Sequence, residues 1–485
     1  MASSRQKKII VEWAPDRASS ISLVKQITSY IKNQVRQGKW RCGDKLPSQR
    51  ELSKNFMVNR STIVTALAEL SSEGVIESTI GKGTVIANNS WSFLFSSSTP
   101  NWNNYIDHGF HKSNLPTIQK INKYEFSSNI IRLSTGEISA DLMPHDEFST
   151  VLRTLADHPR SYCYMEPLGL YELRLALCNY LKNVNLNIKP KEILIVSGSL
   201  QALQLISLSL LGNRSKVFVE SHSYAKSLNV FDFSSIEMHP IPIDKNGPIP
   251  WLIDTEIIDG PSILYTIPTF HNPTGLTMDL ERRKELLNWC QNHNFPIIED
   301  NAYGELYFNT PPPAPIKTLD NSDNVLYLGS ISKSLAPGFR IGWIVGPEAI
   351  IERLGDIKMQ TDYGASTLSQ WFLTDFINHK HYENHLIELR QQLKLRCQFM
   401  LNLLEKHFSD IATWNKPEGG FYIWLRFNKP ISTKKLFEQA LEKNVLFNPG
   451  YIYGFTDNRY IRLSYCYETL DEMEKGMKIL SKLSR

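Results

Sequence analysis

Residues 329–342 read GSISKSLAPGFRIG and place a single lysine, Lys333, among small residues, with Ser330 three positions before it and Arg340 seven after. An amine flanked by hydroxyls and a guanidinium suits one task in particular. Such a lysine can form a Schiff base with an aldehyde cofactor while Ser330 and Arg340 hold that cofactor's phosphate. Two other readings stay open here. A lone lysine after a buried strand is most often a solvated surface residue. Ser330-x-x-Lys333 is also the nucleophile spacing of serine β-lactamases, with Ser322-Asp323-Asn324 nearby; yet that Ser-Asp-Asn comes first in the chain, and no Lys-Thr-Gly follows.

Around this stretch, strands and helices alternate from Ile130 onward. ILIVSG (193–198), KVFVE (216–220), SILYTIP (262–268), PIIED (296–300), NVLYLGS (324–330) and IGWIVG (341–346) are short, apolar and β-rich. Helical stretches such as 199–211 and 279–293 separate them. The pattern predicts an α/β fold with a largely parallel, buried sheet, whose ligands sit at the carboxyl ends of the strands. The polar candidates fall at those ends. Gly198-Ser199 opens a helix whose free N–H groups suit a phosphate. Tyr224 suits stacking on an aromatic ring, and Asn272 in HNPTG suits a ring hydroxyl. Asp300 offers the carboxylate that keeps a pyridine nitrogen protonated, and Tyr303 a phenol for the ring hydroxyl. Taken singly, Asn272 reads as a turn, Asp300 as a helix cap and Tyr303 as core; together, at successive strand ends, they read as one site.

From about Leu133 to the C-terminus, these motifs resemble the fold type I aminotransferases, which use pyridoxal 5′-phosphate. The motifs are Tyr164-x-x-Pro167-x-Gly169, Gly198-Ser199-x-Gln201-Ala202-Leu203, Asn272-Pro273-Thr274-Gly275, Asp300-x-Ala302-Tyr303, Ser330-x-Ser332-Lys333 with Arg340, and Arg462-Leu463-Ser464. The resemblance implies Lys333 as the Schiff-base lysine, Asp300 at the pyridine nitrogen, Asn272 and Tyr303 at the ring hydroxyl, and Tyr224 on the ring face. It also implies Ser199, Ser330 and Arg340 at the phosphate, Tyr164 reaching from a partner subunit, and Arg462 clamping a substrate carboxylate. His222 stands where that family often has proline.

The N-terminal part has a different character. Residues 1–88 hold 14 Lys and Arg against 7 Asp and Glu, and the remainder holds 39 against 42, so a basic head precedes a slightly acidic body. Only the head is expected to meet a polyanion. Leu23, Ile27, Ile31 and Val35 mark one face of a helix within 21–37. Ser48 and Glu51 form a capping box for a short helix at 49–55. Asn59 or Ser61 caps a third helix at 62–72, and 75–77 with 83–86 form a hairpin whose tip is 81–83. Three helices and a hairpin make a winged helix-turn-helix. Arg50, Arg60, Ser61 and Thr62 start helices, where phosphates and base edges come within reach, and Lys82 sits on the wing tip. Lys45, Ser48 and Gly83 complete the candidate DNA-binding set. The bland alternative is a small helical domain with a solvated basic face.

Leu46-Pro47-Ser48-x-Arg50-Glu51-Leu52, Arg60-x-Thr62 and Gly81-x-Gly83-Thr84 resemble the GntR family of bacterial regulators, with Cys42 in place of a proline and Asn59 in place of a serine. A GntR-type head on an aminotransferase-like body resembles the MocR group. The expected organisation is an arm at 1–20, a winged-helix domain at 21–88, a linker at 89–128, and a body at 129–485 with a large part at about 160–365 and a small part at about 366–485. The expected function is a pyridoxal-phosphate-dependent regulator of transcription that senses an amine, an amino acid or the cofactor itself through Schiff-base exchange at Lys333. Its expected partners are double-stranded operator DNA and a second copy of the chain. The alternatives are a working aminotransferase with an appended DNA-binding domain, and a structural regulator that ignores the cofactor. The six scattered cysteines form no CxxC and suit free thiols in a reducing cytosol, and no metal site is expected. No apolar run approaches the roughly 18 residues of a membrane span, so a cytoplasmic location is expected.

Overall fold

The structure is a computed structural model that describes residues 9, 11, 13–37, 39–41, 43–79, 83–87, 102, 105, 113–157, 160–212, 214–228, 230–231, 236–258, 260–454 and 458–485. Cys42, Lys82 and most of the first half of the expected linker lie outside these residues. The chain divides into two compact units, Met1–Phe110 and His111–Arg485.

The first unit contains α1 (Leu23–Arg36), α2 (Gln49–Asn55), α3 (Arg60–Ser72) and a hairpin of β1 (Ile76–Thr79) and β2 (Gly83–Ile86). The capping box is present: Ser48 Oγ accepts from Glu51 N at 3.2 Å, and Glu51 Oε2 accepts from Ser48 N at 2.9 Å. At α3 neither expected side chain caps. Asn59 holds the cap position without a side-chain bond, and its carbonyl accepts from Thr62 N and Ile63 N. Ile27, Ile31, Leu52, Phe56, Ile63, Leu70 and Ile76 form the core. The expected N-terminal arm joins that core. Trp13 stacks on Tyr30 with ring centroids 4.5 Å apart and meets Phe56 edge-on.

The second unit begins with α4 (Pro116–Tyr124), which lies in the second half of the stretch read as linker. Proline at its first position suits a helix start, and Thr117, Ile118 and Ile121 bury its inner face. Lys120 pairs with Glu438 at 2.7 Å, and Thr117 Oγ1 lies 2.7 Å from the Tyr451 hydroxyl, so the helix is built into this unit. Only two core-facing aliphatics in nine residues mark it, too few for a periodicity to stand out.

The main sheet contains β3 (Ile193–Val196), β4 (Lys216–Glu220), β5 (Glu237–Ile241), β6 (Ser262–Thr266), β7 (Ile297–Asp300), β8 (Val325–Ser330) and β9 (Gly342–Val345). Their spatial order is β3-β9-β8-β7-β6-β4-β5. Neighbours pair in parallel except β9, which runs antiparallel to both β8 and β3. Strands covered on both faces need apolar residues at every position, and β3, β4, β7, β8 and β9 are buried throughout. β3 and β8 both oppose β9, so they run alike. The carboxyl ends of β3, β4, β6, β7 and β8 therefore share one edge of the sheet. The reversal of β9 brings its entry point, just after Arg340, to that same edge.

A second, antiparallel sheet follows the helix α5 (His381–Phe408). It is built from β10 (Ala412–Trp414), β11 (Tyr422–Phe427), β12 (Asn448–Pro449) and β13 (Tyr460–Ser464), in the order β10-β11-β13-β12. The second unit holds most of the apolar core, but the head has its own. Phe56→Ala, which empties a site only 1% exposed at the centre of the head, should cost about 3–5 kcal/mol. Scanning calorimetry should show this as a transition moved to lower temperature while the main transition of the body stays in place.

Candidate functional site

Lys333 follows the carboxyl end of β8, and its amine donates to the Gly136 carbonyl at 2.6 Å. It faces a cavity of about 430 Å³ lined by Tyr224, Asn272, Tyr303, Tyr422, Tyr453 and Arg462, among others. Burial draws the Lys333 amine below the usual lysine range, and the nearby Arg462 guanidinium adds to this. Gly136 has to be glycine, since a Cβ there would collide with the Tyr422 hydroxyl. The surface-lysine reading fails on this packing. The β-lactamase reading fails on distance. Ser322-Asp323-Asn324 precedes the amino end of β8, a six-residue strand, whereas Lys333 follows its carboxyl end; the strand rises roughly 3.3 Å per residue between them.

Behind the cavity, Asp300 ends β7. Its Oδ2 accepts from the Tyr265 hydroxyl at 2.9 Å and its Oδ1 from Ala302 N at 3.1 Å. Burial raises its carboxyl above the ordinary range, the cost of an anion held away from water without a cation beside it. Asn272 Nδ2 donates to Tyr303 Oη at 3.3 Å, and Tyr303 and Tyr422 hydroxyls lie 3.2 Å apart. Arg462, on β13, donates to Asn272 Oδ1 at 2.8 Å and to the Ser134 carbonyl at 2.6 Å, and its guanidinium lies 3.9 Å from the centre of the Tyr422 ring. Tyr224 lines the cavity, and burial pushes its phenol up to about 12. His222, in the proline position, packs edge-on against Trp424 and Tyr460 and leaves Tyr224 in place.

Ser199 opens the helix at Ser199–Leu210, and its buried Oγ has no hydrogen-bond partner. Gly198, just before it, has φ +92, and a Cβ there would lie 2.9 Å from Arg340 Nη2. Arg340 Nη2 donates to the Ser197 carbonyl at 2.7 Å, and Ser330 Oγ donates to Ser332 Oγ at 3.0 Å. Ser199, Ser330 and Arg340, three of the four groups expected at a phosphate, thus lie at one edge of the sheet, where β3, β9 and β8 adjoin. The fourth, Tyr164, lies outside the cavity of its own chain. It is exposed and meets Tyr363 edge-on at 4.8 Å.

In the head, Lys45, Arg50, Arg60, Ser61 and Gly83 are exposed and Thr62 is half-buried. Arg60 Nη2 reaches Gln49 Oε1 at 3.5 Å, so the starts of α2 and α3 lie side by side. Lys45 bridges to Val85 on the wing. Ser48 has a second duty, because its hydroxyl is held by the cap.

Comparison with known proteins agrees with both halves of this geometry. Residues 128–480 match the family model "Aminotransferase class I and II", and residues 23–86 match "Bacterial regulatory proteins, gntR family". The chain is similar to HTH-type transcriptional regulators along nearly its whole length: it is 46% identical to YdfD of Bacillus subtilis (strain 168), over 93% of this chain and 94% of that one. It is 36% identical to NorG of Staphylococcus aureus (strain N315), over 89% of this chain and 98% of that one. The chain belongs to the MocR-type regulators. Its second unit has the fold of pyridoxal-phosphate aminotransferases. The kynurenine aminotransferase of Pyrococcus horikoshii superposes with a TM-score of 0.72 at 32% identity, over 77% of this chain and 94% of that one. No helix among the described residues of this MocR-type chain is long and apolar enough to cross a membrane.

Several groups of the site escape a reading of the sequence. Tyr265 is one apolar letter in SILYT, and its hydroxyl reaches Asp300 only because β6 and β7 are parallel neighbours. Tyr422 carries a faint signal, an aromatic after Gly419-Gly420. Gly136 and Ser134 sit in STGE and have none.

Two head variants separate capping from DNA contact. Ser48→Asp keeps the cap but faces phosphates with a negative charge, so it should retain thermal stability and lose operator affinity in a gel-shift titration. Arg60→Ala should also lose affinity, with a shallower salt dependence; unchanged operator binding would show that the start of α3 does not face DNA.

Proposed function

We propose that the body holds pyridoxal 5′-phosphate and that the protein, as a homodimer in the cytoplasm, adjusts its grip on operator DNA when an amine or amino acid reaches Lys333. One observation carries this reading. Groups from five strand ends converge on one edge of the sheet with the chemistry that each part of this cofactor requires. The residues fit the group. Ser199 Oγ is buried and lacks a partner, as a phosphate ligand would be without its phosphate. Asp300 is buried without a cation and has its carboxyl pushed up, which suits a carboxylate that pairs with a pyridinium nitrogen.

In this reading Lys333 Nζ carries the covalent link, and Asp300, oriented by Tyr265, holds the ring nitrogen. Asn272 and Tyr303 hold the ring hydroxyl, and Tyr224 covers one face. Ser199, Ser330 and Arg340 hold the phosphate, with Tyr164 contributed to a partner subunit's site. When bound, the cofactor supplies one electrophilic carbonyl carbon, for which Lys333 Nζ and a ligand's primary amine compete. Arg462, fixed by Asn272 and Tyr422, orients the ligand through its carboxylate. Tyr303, Tyr422 and Tyr453 wall the cavity. Lys333, with its proton weakly held, is equipped to pass one. Support for a regulator rather than a metabolic enzyme comes from the basic head, which an enzyme does not need.

The wild-type protein should absorb near roughly 420 nm with the cofactor bound, and Lys333→Ala should lose covalent attachment while keeping its melting temperature. A colourless wild type sinks the assignment. Because Lys333 sits below the ordinary lysine value of 10.5, its neutral form is present at lower pH, so attachment rates should reach their plateau below pH 10.5. Arg462→Gln removes one cause of the depression and should move that midpoint upward in stopped-flow absorbance. Steady turnover of common amino and keto acids at enzyme-like rates would favour the aminotransferase reading instead.

A further inference from the structure

The Lys333 cavity has more hydrogen-bond acceptors than its own donors satisfy. Glu125, just after α4, and Glu137, just after Gly136, both line it. Glu125 Oε1 accepts from Thr135 Oγ1 at 2.8 Å. The Glu137 carboxylate is half-buried, and among the described residues it has neither a hydrogen bond nor an ion pair within 4 Å. Burial, with the Glu125 charge behind it, pushes the Glu137 carboxyl upward, against the weaker pull of Lys333 and Arg132.

An independent group makes the same point. Asn448 lines the cavity and is 6% exposed. Its Nδ2 donates to the Tyr453 hydroxyl at 2.6 Å, while its Oδ1 is buried and accepts nothing. A buried acceptor left open costs about 1–3 kcal/mol, a cost that a ligand donor would remove.

The protein's own cations are committed elsewhere. Lys333 is the cation that acts most on Glu137, and Arg132 is the next. Arg132 lies 4.0 Å from the centre of the Tyr467 ring, has Nε 3.8 Å from Glu468 and donates to the Glu125 backbone carbonyl. Lys333 donates to Gly136, and Arg462 donates to Asn272 and Ser134. Arg462 offers a cation for one carboxylate. An acidic ligand side chain would face Glu125 and Glu137 with like charge, and an apolar one would bury them further without a partner.

We propose that the ligand sensed at this cavity is a dibasic amino acid, with its carboxylate on Arg462 and its distal ammonium group on Glu125, Glu137 and Asn448 Oδ1. The proposal rests on the Lys333 reading above and adds the class of ligand. The test uses the full-length protein loaded with pyridoxal 5′-phosphate, titrated with lysine, ornithine, norleucine, glutamate and cadaverine. The visible band and calorimetry both report binding. Norleucine matches lysine but lacks the distal amine. Lysine or ornithine should half-saturate the protein at a concentration at least about ten-fold lower than norleucine does, the equivalent of one charge-assisted contact. Glu137→Gln should narrow the lysine-to-norleucine ratio to below about three-fold, and Glu125→Gln should do the same if the first variant folds poorly. Equal binding of lysine and norleucine overturns the proposal, as does tighter binding of glutamate. Cadaverine binding more tightly than lysine overturns the role of Arg462. A protein that forms no visible band fails at the earlier step and takes this inference with it; one that forms the band without preferring dibasic ligands overturns this inference alone.

Discussion

Arg462 is buried among rings and amides, and no carboxylate of the described residues lies within salt-bridge distance. Removing a guanidinium from water without a counter-ion costs several kcal/mol. The fold offsets part of that cost locally. The charge lies 3.9 Å from the Tyr422 ring centre and 5.1 Å from that of Tyr453, and desolvated contacts of this kind contribute about 2 kcal/mol or more each. The Asn272 and Ser134 oxygens accept two of its hydrogen bonds, while Nε is left without a partner. This arrangement ties β13 of the small sheet to the loop after β6 and to the segment before Gly136. Three parts of the chain far apart in sequence are thereby held around one cavity. The positive charge there also helps lower the Lys333 amine below the usual lysine range.

The strand polarity of the large sheet does the rest. Parallel strands deliver Ser199, Tyr224, Asn272, Asp300 and Lys333 to one edge without further design, because each follows a carboxyl end. Arg340 reaches the same edge by the opposite route, at the entry to an antiparallel strand. That approach needs Gly198, whose positive φ and missing Cβ leave room for the guanidinium.

These features differ in how far the sequence shows them. Strands buried on both faces are written as apolar runs, so β3, β4, β7 and β8 lie within a residue or two of their expected places. Lys333, Asn272 and Tyr303 stand out only together, because each follows the end of an apolar strand run. Tyr265, Tyr422 and Asn448 do not, since each looks like an ordinary strand residue and acquires a role only through a neighbour 35, 119 or 5 positions away. α4 is hidden for another reason. Its polar outer face and short length match a connector, and tertiary packing on Tyr451 and Glu438 makes it a helix of the body. Trp13 is similar, one aromatic in an unpatterned arm that is fixed by stacking on Tyr30.

The position of α4 bears on how such a protein can be cut and recombined. The aminotransferase family model begins at residue 128, after this helix. Yet Asn114, Ile118, Ile121, Asn122 and Glu125 are part of the cavity wall. A body excised at residue 128 would keep Lys333 and the whole sheet but lose one side of the cavity. The unit that encloses the cavity is therefore longer than the stretch matching the aminotransferase family. An exchange of heads between relatives would preserve ligand choice only if the crossover fell upstream of Asn114.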